Sequence, residues 1–207
     1  MKNWVAGCHC KKPTHFTKLI AVTGGPGGGK TAALEVAKRE FCRHVVVMPE
    51  AASMVYKGGF IRKNTPLAIK AVQRAIYHVQ NELHQLVQAE QSFALGLCDR
   101  GTLDGLAYWS DTEQSFYEEL RTAREKELQK YAVVIHLRTP PSEYGYNQDN
   151  PIRTESVEEA LDIDQKIERA WRDHPKRTFV ESSQNFSEKI ENVLQVIRKE
   201  VPTCCHS

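Results

Sequence analysis

Short, mainly apolar runs alternate along this chain with longer segments in which apolar residues recur every three or four positions. The runs are 18–23 (KLIAVT), 45–48 (VVVM), 92–99 (SFALGLCD), 131–137 (YAVVIHL) and 178–181 (TFVE). Runs without polar alternation belong to strands buried on both faces, and helices between them make those strands parallel, joined by crossovers. Helical spacing puts Leu34, Ala37 and Phe41 on one face of a helix over 31–41. Thr65-Pro66 opens a long helix, cap residue then proline. Its stripe runs from Leu67 through Ala71, Val72, Ala75, Ile76, Val79, Leu83 and Leu86 to Val87. Residues 103–109 predict a short helix. The segment 113–130 predicts a single charged helix, with Phe116, Leu120 and Leu128 inward and its charges, Glu127 among them, on a solvated face. Ser156 and Glu159 form a capping box for a helix to about residue 173, and Asn185 caps the last one. The pattern predicts one α/β domain over 18–201, with an irregular segment at 1–17 and a tail at 202–207.

Polar residues gather where the strands end. After the first strand comes Gly24-Gly25-Pro26-Gly27-Gly28-Gly29-Lys30-Thr31, which fits G-x-x-x-x-G-K-[ST] between a strand and a helix. Glycines let the backbone turn its N–H groups toward one point, and the helix start adds partial positive charge. Lys30 would reach the β- and γ-phosphates of ATP, and the Thr31 hydroxyl would bind Mg²⁺. Glu50 follows the second strand, placed to accept a hydroxyl proton. Asp99-Arg100 ends the third: Asp99 is the expected second acid for Mg²⁺, and Arg100 a fork for phosphate or carboxylate. Arg62, in the basic loop 58–63, and Asp104, in the short helix, are expected to contact the acceptor. Residues 138–156 read as a lid in which Arg138 and Arg153 close over the triphosphate. Asp162 and Asp164 read as solvated acids, either able to pair with a lid arginine; His78 and His84 read as surface or core histidines.

Charge and composition narrow the function. A net charge of +2 leaves no broad basic footprint, which argues against nucleic acid and a polynucleotide-end kinase. No apolar run is long enough to span a bilayer, and no signal-peptide core is present, so a cytoplasmic protein is expected. Six cysteines in such a protein read as free thiols. Cys8-His9-Cys10, His15 and Cys204-Cys205-His206 are metal-ligating types, but C-x-C and C-C are not the usual zinc spacings and both groups lie at termini. They too read as loose thiols.

A phosphate loop, Pro49-Glu50 and Asp99-Arg100 together resemble the nucleoside and nucleotide kinases, including thymidylate kinase. That resemblance implies Glu50 as base for a sugar hydroxyl and Arg100 as a phosphate or substrate ligand. The whole pattern is still more similar to the AAA_28 family of P-loop ATPase/kinase-like domains, akin to the ribosylnicotinamide kinase domain of the NAD-metabolism regulator NadR. The matching pieces are Val22 to Thr31, Pro49-Glu50-Ala51-Ala52, Cys98 to Gly105, and Asn150-Pro151-Ile152-Arg153, and the resemblance covers about Thr17 to Val201. It implies a three-layer P-loop NTPase fold, with a five-stranded parallel sheet in the order 2-3-1-4-5 and helices on both faces. The function expected is transfer of the γ-phosphoryl group of ATP, with Mg²⁺, to a small hydroxyl-bearing acceptor such as a nucleoside or nucleotide. A nucleotide-dependent switch, or a slow ATPase or GTPase regulating a partner, is the alternative. Absence of an N-K-x-D loop favours ATP over GTP.

Overall fold

The computed structural model describes residues 8–141, 156–183 and 185–205. Five parallel strands, β1 Lys18–Thr23, β2 Val45–Met48, β3 Leu95–Asp99, β4 Tyr131–Leu137 and β5 Arg177–Val180, form one sheet in the order β2-β3-β1-β4-β5. The helices are α1 Lys30–Glu40, α2 Ala51–Lys57, α3 Pro66–Glu90, α4 Glu113–Leu120, α5 Arg124–Gln129, α6 Val157–Ala170 and α7 Phe186–Arg198, with a 3₁₀ helix at Thr102–Tyr108. Both faces of the sheet are covered, as the apolar runs require. Ile20 and Val22 of β1 point into one core with Leu34, Val193 and Ile197. Leu19 and Ala21 point into the other with Tyr77, Leu103, Phe116, Ile167 and Trp171. The alternation follows from the two-residue period of a strand.

Register carries the functional residues to one edge. Val22 pairs with Asp99 and Thr23 with His136, so β1, β3 and β4 finish side by side where the phosphate loop begins. The central position of β1 makes this the place where crossovers leave in opposite directions, the usual ligand crevice of an open α/β sheet.

The local signals for helix starts hold. Thr65 accepts from the Ala68 N–H with Pro66 at the first helical position, and the Ser156–Glu159 capping box forms. Three expectations are corrected. Leu67 and Leu86 of the α3 stripe are exposed; near Leu86 it is His84 and Val87 that are buried. The single helix over 113–130 is two helices, broken where Arg121 takes the left-handed conformation (φ 53°). The break carries Thr122 to Glu127, whose carboxylate is fully buried and accepts from Tyr77, Thr122 and Lys130, so Glu127 is not on a solvated face.

Candidate functional site

The phosphate loop turns back at the sheet edge because only glycine fits it. Gly24 has φ 123°, and a Cβ there would lie 2.1 Å from the Leu137 carbonyl oxygen. At Gly25 a Cβ would meet Thr139 Oγ1 at 2.4 Å and Asp164 Cβ at 2.8 Å. Gly29, left-handed at φ 92°, then starts α1, whose first turn holds no acid, so its free N–H groups and positive end stay available to an anion. Thr31, the second residue of α1, is exposed. Lys30 is buried and donates to the carbonyls of Gly24 and Gly25 at 2.8 Å each. Burial, then the charge of Arg100, pulls its pKa down to about 7 against the opposing pull of Asp99, Asp104 and Glu50.

Of the brace behind the loop the sequence reading holds one piece, the pairing of Asp164 with Arg138. Asp164 Oδ1 accepts from the Gly25 N–H at 2.7 Å and lies 2.9 Å from His136 Nε2, while Oδ2 lies 3.5 Å from Arg138 Nη1. Thr139 Oγ1 donates to the Pro26 carbonyl at 3.0 Å. Asp164 is buried rather than solvated, which corrects one of the two acids; Asp162 is half-exposed and pairs with Lys166. A signal was present: Asp164 falls on the same helical stripe as Ala160, Ile167 and Trp171, where an acid has to be satisfied internally. Arg138 donates to Glu168 at 2.5 Å and stacks on Phe179 at 4.4 Å.

On the other side of the loop stands a second charged group. Arg100 Nε donates to Glu50 Oε1 at 2.7 Å, and Ser53 Oγ donates to Oε2 at 2.5 Å. Burial pushes the Glu50 carboxyl up, but the Arg100 charge and these hydrogen bonds outweigh it, leaving it below the usual glutamate range. Arg100 itself is held in place unusually firmly: its backbone has φ 75°, its carbonyl accepts from Gln80, and Asp104 lies 3.6 Å from Nη1. Nη1 is buried and makes no hydrogen bond among the described residues. Asp104 is itself fixed, accepting from Thr23 Oγ1 and, at 2.7 Å, from Trp171 Nε1. Asp99 has its pKa raised to about 6, by burial first, then lowered by Lys30 and raised again by Glu50 and Asp104. A half-buried carboxylate near Glu50 and Asp104 has the oxygen-donor chemistry that a hard cation takes.

Glu50 and Arg100 open onto a cavity of about 410 Å³ between α2, α3 and the 3₁₀ helix. Tyr56, Tyr108 and Phe116 supply aromatic walls, and Gln73 and Gln80 amide groups. Arg62 and Asp104 also line it; Arg62 stacks over Tyr56 at 4.2 Å. The fold thus gathers Gly24 to Thr31, Glu50, Asp99, Arg100, Asp104 and Arg62 at one edge. It sets Arg138 behind the loop, and Arg153 with most of the expected lid lies outside the described residues.

Comparison with known families decides the class. The profile of the AAA domain family AAA_28 matches residues 19–189. This chain belongs to the AAA_28 family. No curated protein matches the AAA_28 domain described here. Among solved structures it is similar to thymidylate kinase from Candida albicans, at 12% identity and TM-score 0.61, covering 91% of this chain and 94% of that one. It is also similar to thymidylate kinase from Ehrlichia chaffeensis, at 13% identity and TM-score 0.56, covering 87% and 98%. These likenesses establish a P-loop kinase fold for the AAA_28 domain. No described helix is long and apolar enough to cross a membrane.

Proposed function

We propose that this chain is an ATP-dependent phosphotransferase that moves the γ-phosphoryl group to a hydroxyl of a nucleoside or nucleotide. One observation carries the reading: the Glu50–Arg100 pair stands between the phosphate loop and an aromatic-walled cavity of about 410 Å³ at the same sheet edge. A simple hydrolase needs no such second chamber, and its aromatic and amide lining suits a base.

The loop amides and Lys30 bind the β- and γ-phosphates, Lys30 exchanging its two carbonyl partners for phosphate oxygens. Thr31 and Asp99 would hold Mg²⁺, which when bound draws the phosphate oxygens together and offsets their charge. Glu50, ionised at neutral pH, orients the acceptor hydroxyl and takes its proton as the bond to phosphorus forms. Its depressed pKa makes it a weak base, adequate because phosphoryl transfer demands little proton removal before the transition state. Arg100 offers Nη1, which makes no hydrogen bond among the described residues, to the transferring group. Asp104 aims Arg100, and Arg62 covers the acceptor. Arg138 steadies the loop through Asp164, while Arg153 would close from the lid.

The test is acceptor-dependent ADP release across nucleosides, nucleoside monophosphates and pyridine ribosides. At least one is expected to raise turnover by about 100-fold or more over the acceptor-free rate. Equal release with every acceptor and with none would replace the kinase reading by an ATPase or switch.

A further inference from the structure

We propose that the chain carries a structural zinc site at the opposite end of the sheet, with Cys8, Cys42, His44 and Cys205 as its four ligands. The sulfurs of Cys8, Cys205 and Cys42 lie 3.2, 3.4 and 3.8 Å from one atom, His44 Nδ1. Around a tetrahedral zinc with Zn–S near 2.3 Å and Zn–N near 2.05 Å, nitrogen–sulfur edges are ~3.6 Å and sulfur–sulfur edges ~3.8 Å. All four ligand atoms already lie within 4.8 Å of one another, so binding shifts each edge by about an ångström or less, lengthening the two short nitrogen–sulfur edges and shortening the widest ones.

The ligands come from three separate stretches, and backbone hydrogen bonds hold two of them in place. Cys42-x-His44 immediately precedes β2; its turn is closed by Val45 N–H to the Cys42 carbonyl at 3.0 Å. The His44 carbonyl accepts from Ala94 and Leu95 at the start of β3. Cys205 sits in a 3₁₀ turn closed by its N–H on the Pro202 carbonyl at 2.8 Å. Cys8 arrives from the other terminal segment. Cys42, His44 and Cys205 are buried, and three thiolates with one imidazole complete a closed set without an open position, which marks a structural rather than a catalytic zinc. On this assignment Cys8 and Cys205 are ligands rather than loose thiols. The sequence concealed this because the deciding partners, Cys42 and His44, lie far along the chain from Cys8 and from Cys205.

Cys10, His15 and Cys204 surround the same point. Cys10 and His15 could form a second set with His44 and Cys205. The first set is preferred because all three of its sulfurs converge on one nitrogen. Cys204 Sγ and Cys205 Sγ are 3.9 Å apart, well beyond a bond, and all six cysteines are free. A metal here ties both terminal segments to the leading edge of the sheet, remote from the phosphate loop.

The full chain, purified under reducing conditions without chelator, is expected to contain about one zinc by elemental analysis. Cys42→Ser and Cys205→Ser should each bring this below about a tenth, while Cys10→Ser retains it. Should those variants fail to fold, the wild-type chain reconstituted with Co²⁺ still decides. Tetrahedral d–d bands with intense thiolate-to-metal charge transfer support the site. Removing zinc should lower the melting midpoint by about 10 °C, with ATP affinity in the remaining folded protein changed less than about threefold. No zinc or Co²⁺ uptake with all six thiols reduced would overturn the proposal. So would loss of zinc in Cys10→Ser and His15→Ala but not in Cys8→Ser and Cys42→Ser.

Discussion

Lys30 shows how a single side chain links burial to function. Its ammonium is enclosed and its pKa falls to about 7, yet a triphosphate needs it charged. Above pH 7 binding must therefore draw in a proton. Titration calorimetry at pH 8 in buffers of different ionisation enthalpy should show uptake of about 0.9 proton per ATP, falling toward zero in Lys30→Arg, whose guanidinium is always charged. Uptake equal in both proteins would place the titration elsewhere. At this scale the sequence was informative where a residue's neighbours in the chain define its setting. Lys30, Thr31, Glu50 and Asp99-Arg100 were each legible from a motif or a strand end. Asp164 and Glu127 were not, because an acid on a helix reads as solvated until a partner from a distant segment arrives. His84, read as a surface or core histidine, takes the core alternative: it is buried edge-on to Tyr131, both ring nitrogens lack hydrogen-bond partners among the described residues, and its pKa is pushed down to about 4 by burial.

Elements were read well where period and caps agree. The five strands, the long α3 and the capping box on α6 all follow from local rules. The break at Arg121 does not: arginine there takes the left-handed helix-ending conformation usually left to glycine, with the Thr122 N–H on the Tyr117 carbonyl. The most consequential element relation is equally non-local: α6 lends Asp164 to hold the phosphate loop against β4. Asp164→Ala removes the acceptor for Gly25 N–H and the partner of His136 and Arg138. It should cost about 2–4 kcal/mol in denaturant unfolding and weaken ATP binding by about tenfold, with Arg138→Ala milder in both. An Asp164→Ala protein with unchanged ATP affinity would show that the loop needs no brace.

For the whole molecule, the parallel sheet separates two ends: one crowded with phosphate-loop chemistry, the other closed by cysteine and histidine. The functional end is costly to fold. Because Lys30 titrates at about 7 in the folded state rather than at its ordinary 10.5, the unfolded chain binds more protons across that interval. Its contribution to stability therefore rises with pH from 7 to 10.5. Asp99, raised from 3.8 to about 6, makes the opposite contribution, lost as pH climbs between those values. Lys30→Met should thus melt a few degrees higher, about 3–6 °C, at pH 7 in the nucleotide-free protein, with the advantage shrinking toward pH 10. A lower midpoint at pH 7 would mean that the two carbonyl hydrogen bonds outweigh the burial penalty. The fold class was legible because glycine loop, runs and periods agree, and the strand order only through the family resemblance; the acceptor was not, because the cavity is built from α2, α3 and the 3₁₀ helix, brought together only in three dimensions. The central claim, transfer rather than hydrolysis, is tested most directly by following the label of γ-³²P-ATP in the presence of an acceptor that stimulates turnover. Label should appear on the acceptor, with Glu50→Gln lowering that rate by about 10²–10⁴-fold while the KM for ATP moves by less than about threefold. Label released only as inorganic phosphate, or transfer undiminished in Glu50→Gln, would contradict it.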